Sequence, residues 1–155
     1  MDPQMTSLPM TSDPTGEKAC PAVLPEFKRI LLVTSLDDGS KAALAAAATL
    51  ARASGGFVHV LCLLEATVCE RPDPQVDANA TQKLTIALEA LRGLGVEEVH
   101  GRVEYGIAEN VILRRADTED FDVVVLGSTK HRRGTNAYVM AHARIPVMTT
   151  PCGVS

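Results

Sequence analysis

Tryptophan is missing from the chain, and three phenylalanines and two tyrosines supply all its aromatic rings. So few rings argue against a platform for stacking single-stranded bases. A basic excess is missing as well: 15 Lys and Arg stand against 19 Asp and Glu, a formal net charge of −4. A general nucleic-acid binder carries the opposite balance, so no nucleic-acid partner is expected. The four cysteines, Cys20, Cys62, Cys69 and Cys152, form no CxxC pair. That scatter argues against a zinc site and a disulfide framework, and no metal is expected. Cys62 falls in an apolar run and reads as a buried thiol. No apolar run approaches the ~18 residues of a membrane span. No charged start followed by an apolar stretch marks a secretory signal. The expectation is a cytoplasmic protein with no membrane partner.

What the chain does hold is Val, Leu, Ile and Ala, in 155 residues, enough for one domain with a sizeable core. Residues 1–26 are polar, carry prolines at 3, 9, 14, 21 and 25, and show no apolar period. They read as a disordered tail, and residues 27–155 as the domain. The domain alternates two kinds of segment. Lys28–Val33, Phe57–Leu64 and Val123–Leu126 are short apolar runs of β-formers, as in buried strands of a parallel sheet, and Pro146–Thr150 reads as a last strand with an exposed edge. Val99–Tyr105 alternates apolar with polar residues and reads as a strand nearer an edge. Between them, Lys41–Ala53, Val76–Arg92 and Ile107–Thr118 have helical spacing, with Ile107, Val111 and Ile112 expected inward. Asn136–Ala143 reads as a short fourth helix. The order β-α-β-α-β-α-β-α-β implies a three-layer α/β/α sandwich around a five-stranded parallel sheet.

One stretch organises the rest. Phe121-Asp-Val-Val-Val-Leu-Gly-Ser128 is a buried strand that ends in a turn, and a basic loop follows, Lys130-His-Arg-Arg133. Gly134-Thr135 then opens a helix, with free N–H groups and a hydroxyl at its start. The loop at the carboxyl end of such a strand is where open α/β sheets bind ligands. Four cationic or titratable side chains there suit an anionic small molecule.

These segments resemble the universal stress protein family. The resemblance rests on Phe27-Lys-Arg-Ile-Leu-Leu-Val33, Asp38-Gly-Ser-Lys-Ala-Ala-Leu44, Val58-His-Val-Leu-Cys-Leu-Leu-Glu65, Tyr105-Gly-Ile-Ala-Glu-Asn-Val-Ile112, Phe121–Ser128 and Ile145-Pro-Val147. The family implies strand order 3-2-1-4-5, a Rossmann-like fold, and a homodimer paired through the last strand. Many members bind ATP through Gly-x2-Gly-x9-Gly-[Ser/Thr] at the end of the fourth strand. Gly127 matches the first glycine, and Lys130 stands where the second belongs. Gly134-Thr135 resembles the closing pair, with about half the intervening loop missing. Ser35 occupies the place of an adenine-contacting Asp, Leu63 that of an adenine-contacting Val, and Asn136 that of the usual Val after the closing pair.

The resemblance implies a cofactor site at Ser35, Leu63, Leu126, Gly127, Ser128, Lys130, Gly134 and Thr135. The cofactor itself stays open: ATP or another adenine nucleotide is the family's ligand, and the shortened, degenerate glycine loop disfavours it. The function expected is a non-enzymatic, dimeric stress-response regulator with altered nucleotide binding. Two alternatives stand beside it. One is an interaction module that shows its basic loop or proline-rich lead to a protein partner and takes no small ligand. The other is a nucleotide-hydrolysing enzyme, which the residues disfavour. Ser35-Leu-Asp-Asp-Gly-Ser40 lacks the paired glycines of a pyrophosphatase loop, and no Gly-x-Ser-x-Gly elbow is present. Glu109, early in its helix, reads as a complement to the helix dipole.

Overall fold

The computed structural model describes residues 27–34, 40–65, 74–127 and 133–150. The expected tail over 1–26 lies outside these residues. Nine elements follow in order: β1 (Arg29–Thr34), α1 (Ser40–Ser54), β2 (Phe57–Glu65), α2 (Pro74–Gly93), β3 (Glu98–Gly106), α3 (Ala108–Thr118), β4 (Val123–Gly127), α4 (Arg133–His142) and β5 (Val147–Thr150). The strands make one parallel sheet of order β3-β2-β1-β4-β5. This is the α/β/α fold and the strand order expected from the sequence.

Alternation along the central strands splits the core in two. Ile30 and Leu32 of β1, Val58, Val60 and Cys62 of β2, and Val123 and Val125 of β4 face one way. They meet Ala43, Ala47, Ala48 and Ala51 of α1 and Ala80, Leu84 and Leu91 of α2. Alanine at four of the buried α1 positions lets that helix lie close to the sheet. Leu31, Val33, Leu61, Leu63, Val124 and Leu126 face the other way, against Ala108, Val111, Ile112 and Ala116 of α3 and Val139 of α4. Residues from Ile30 to Leu32 have no exposed surface. Full burial of such a side chain contributes about 1.5–3 kcal/mol. Cys62 sits in this core, as its apolar setting predicts.

Three local readings change. The α2 helix begins at Pro74, two residues before the expected start. Proline is no breaker there, because the first turn has no use for its missing N–H. Ile107 is not inward but 46% exposed. It is the extended residue before α3 (φ −77°, ψ 122°), so helical periodicity does not govern it. The α4 helix begins at Arg133, which puts Gly134 and Thr135 inside its first turn. β3 is an outer strand, as its alternation indicates.

At the turn into β2 two backbone segments lie in close contact. The Phe57 N–H donates to the Lys28 carbonyl at 2.8 Å. A Cβ on Gly56 would stand 2.1 Å from that same oxygen, with the Lys28 Cα at 2.5 Å. Backbone cannot yield as a side chain does. A Cβ on Gly101, by contrast, would stand 2.9 Å from the Leu84 Cδ1, the mobile end of a side chain. Gly56→Ala is therefore expected to cost about 3 kcal/mol or more. Gly101→Ala should cost markedly less. Urea unfolding of the two variants checks the order, and equal losses would contradict the backbone contact.

Candidate functional site

The strand order fixes where a crevice opens. From β1 the chain runs through α1 toward β2, and from β4 through α4 toward β5. The two helices leave in opposite directions and cover opposite faces. Between them, at the carboxyl ends of β1 and β4, lies the topological switch point of the sheet. The β1–β4 register ends at Val33 beside Leu126, so Thr34 and Gly127 follow at the rim.

Buried polar side chains mark this rim. Among the described residues, Thr34, Asn136 and Thr150 are the buried polar or charged ones, at 4%, 6% and 7% exposure. Thr34 ends β1, Asn136 lies early in α4, and Thr150 ends β5 opposite Gly127. Polar groups leave water at a cost unless something pairs with them. The Asn136 Nδ2 donates to the Gly127 carbonyl at 3.3 Å, which ties the start of α4 to the end of β4. The Thr150 Oγ1 is buried without a hydrogen-bond partner. Thr135 is half-buried, and its Oγ1 donates to the Glu109 Oε1 at 3.3 Å. Glu109 sits in the first turn of α3, where a carboxylate complements the positive end of the helix.

The expected site residues divide as follows. Gly127 at the rim is bonded by Asn136 of α4, and Gly134 and Thr135 stand in the first turn of that helix, with Thr135 bonded to Glu109 of α3. Leu63 and Leu126 stand at the carboxyl ends of their strands, at 0% and 1% exposure, with side chains in the core beneath α3 and α4. Ser35, Ser128 and Lys130 lie outside the described residues. Gly134 is exposed, and a Cβ there would meet nothing within 4 Å. The fold itself therefore does not require a glycine at 134. Asn136 and Glu109 are the additions that sequence reasoning missed as parts of the rim. Asn136 reads from the sequence as a helix start and a departure from the family's Val, with nothing to mark its bond to Gly127, and Glu109 is 26 positions from its partner. Among the described residues no group of three or more His, Cys, Asp and Glu side chains is placed to hold a metal.

Charge away from the rim is spent on joining β3 to α3. The Arg115 guanidinium donates to Glu104 on β3 and to Glu119 one turn further along α3. Burial alone would raise the Glu104 carboxyl, but Arg115, Arg102 and Arg114 outweigh it and hold the group below its ordinary range. The Tyr105 hydroxyl donates to Asp77 at 2.7 Å and ties the end of β3 to α2. Partial burial and that bond push the phenol up to about 12.

His59 lies on the α3 side of β2, with the Phe121 and His100 rings 5.8 Å and 6.5 Å from its own. Burial lowers its affinity for a proton, and the Arg102, His100 and Arg115 charges add to this against the opposing effect of Glu119. The unfolded chain therefore takes up the proton first. Stability is full above about 6.5, the unperturbed value, and falls as pH drops below it. Urea midpoints between pH 7.5 and 5 are expected to decline in the native chain and to decline less in His59→Gln. Parallel slopes would assign the decline to other groups.

No curated protein sequence gives a significant match to the chain. Solved structures give many. A universal stress protein in complex with cAMP aligns at TM-score 0.67 and 16% identity, over 83% of this chain and 100% of its own. The universal stress protein UspA from Lactobacillus plantarum aligns at 0.66 and 19%, over 83% and 100%. The universal stress protein from Archaeoglobus fulgidus in complex with dAMP aligns at 0.63 and 22%, over 81% and 98%. At such identities these likenesses establish the fold. The model of the universal stress protein family matches residues 26–151 of the 155. The strand order, the Gly127 rim and this match together mean that the chain belongs to the universal stress protein family.

Proposed function

We propose that this protein is a dimeric regulatory member of the family that turns nothing over, and that its rim takes an adenine nucleotide in an altered, weaker mode than an intact glycine loop would. The observation that carries the reading is the concentration of buried polar groups at the switch point. Thr34, Asn136 and Thr150 are where the described core departs from apolar packing. Beside them the first turn of α4 holds an exposed glycine and no acidic residue. Helix N–H groups at such a turn suit an anion. The relatives solved with cAMP and dAMP support an adenine ligand as the class. Weak binding follows from the loop: six residues separate Gly127 from Gly134, too few for the family's full cradle.

Calorimetric titration with ATP, AMP and cyclic AMP tests the reading. Affinities no tighter than micromolar are expected, and Gly134→Leu should weaken them at least fivefold without loss of stability. Sub-micromolar ATP binding would contradict the altered mode. Binding unchanged in Gly134→Leu would move the ligand away from the α4 turn.

The two sheet edges support the dimer. The β3 edge carries Glu98, His100, Arg102 and Glu104, which discourage pairing with another strand. The β5 edge, Val147-Met-Thr-Thr150, carries no charge. Sedimentation equilibrium at micromolar concentration is expected to give a dimer. Thr149→Pro, which removes an outward-facing backbone donor from β5, should shift it toward monomer. A native monomer at that concentration would count against the proposal.

A further inference from the structure

A cleft opens at the amino end of the sheet, opposite the rim, where β2 and β3 begin. We infer that it is a second small-ligand site, which takes a free amino acid with a short apolar side chain, its carboxylate on Arg52 and its ammonium on Glu97. The inference is independent of the nucleotide reading, since the two sites lie at opposite ends of the strands.

Two helix endings make the cleft. α1 ends at Ser54 and α2 at Gly93, and the strands that follow start side by side, Phe57 opposite Glu98. Each helix closes through a glycine with positive φ, Gly55 at 71° and Gly95 at 99°. The next residue's N–H then reaches back into the helix, from Gly56 to the Ala51 carbonyl at 3.0 Å and from Val96 to the Leu91 carbonyl at 3.1 Å. Neighbouring terminations of this kind line a space with backbone instead of side chains. Its volume is about 310 Å³. That lies near the lower end of the range for small-ligand sites, about 300–1,000 Å³. Ala51 and Val96, both buried, give it apolar surface. A Cβ on Gly55 would meet nothing within 4 Å, so that side stays open.

The charges of the cleft point to the ligand. Arg52 and Glu97 both line it and both are exposed. The Arg52 side chain passes over Gly95, where a Cβ would stand 3.3 Å from its Cδ and 3.4 Å from its Nε. Among the described residues neither Arg52 nor Glu97 makes an ion pair or a side-chain hydrogen bond, with each other or with another group. Arg52 complements the end of α1 from its last turn, as Arg92 does for α2, but that role uses none of its donors. Arg92, Lys28 and Glu98 carry charge nearby without lining the cleft. A ligand of one sign would answer one of the two free charges and leave the other. An amino acid answers both. The planar guanidinium takes a carboxylate through two donors. Glu97 takes the ammonium, helped by the partial negative charge of the two helix ends. Ala51 and Val96 meet the side chain.

The test titrates the full chain with L-valine and follows the backbone amide signals of Gly55, Gly56 and Gly95 by NMR. N-acetylvaline, without the ammonium, and valinamide, without the carboxylate, are the comparisons. In the native protein valine should shift these signals saturably, and each analogue should bind about fivefold more weakly, the scale of one exposed ion pair. Arg52→Gln should weaken valine and N-acetylvaline and leave valinamide as it was. Glu97→Gln should weaken valine and valinamide and leave N-acetylvaline as it was. Absence of a saturable shift at the three glycines in the native protein overturns the inference. Equal binding of all three ligands overturns it too, as does a valine affinity unchanged in both variants. Shifts confined to Gly127 and Gly134 would put the amino acid at the rim and overturn the inference as well.

Discussion

The pairing of β1 with β4 is the constraint on which the rest of the structure depends. Ile30, Leu31, Leu32 and Val33 lie beside Val123, Val124, Val125 and Leu126, and all eight are buried. These two strands are far apart in the chain and central in the sheet. Their contact divides the domain into a half that grows outward through β2 and β3 and a half that grows through β5. It also brings the two divergent helix starts to one rim. Without that pairing there would be two βα layers and no crevice between them.

The same pairing explains the economy of polar groups. Apolar side chains fill both faces of the central strands, and what polarity the described core keeps lies where the strands stop. Farther out, the sheet is fastened by charge. Arg115 spans from α3 to β3, and Arg29 donates to the carbonyls of Glu119 and Asp120 at the end of α3 while its guanidinium lies 5.4 Å from the centre of the Phe57 ring. Asp122 in turn accepts from the Lys28 and Arg29 N–H groups. Charge-assisted and cation–π contacts thus fasten the amino ends of the central strands, while at the carboxyl rim Asn136 bonds the Gly127 carbonyl and Thr135 the Glu109 carboxylate.

Much of the fold was legible in the residues because its signals are local. Val123–Leu126 reads as a buried strand from composition alone, and the alternation of Val99 and Val103 with His100 and Arg102 identifies an outer strand. Pro74 and Ile107 were misread for a shared reason: each sits at a helix boundary, where backbone position overrides side-chain type. The rim was legible only in part. Gly127, Gly134 and Thr135 declare themselves by type and order. The bonds that join them do not, since Thr135 to Glu109 spans 26 positions and Asn136 to Gly127 spans nine. Such pairs become visible only once the strand order has folded the chain back on itself. The leucines at 63 and 126 show the converse. Their places in the sequence point to the rim, yet strand alternation turns their side chains into the core.

The difference between the two sheet edges also limits how this molecule can associate. Of the two outer strands, one displays charges of both signs along its length and the other displays none. A sheet with two permissive edges can add copies at both and grow into a fibre. A sheet with one can join a single neighbour, and if that neighbour uses the same strand, both are then closed. The distribution of charge on β3 therefore acts as a stop signal: whatever the uncharged edge of β5 pairs with, growth of the sheet ends at β3.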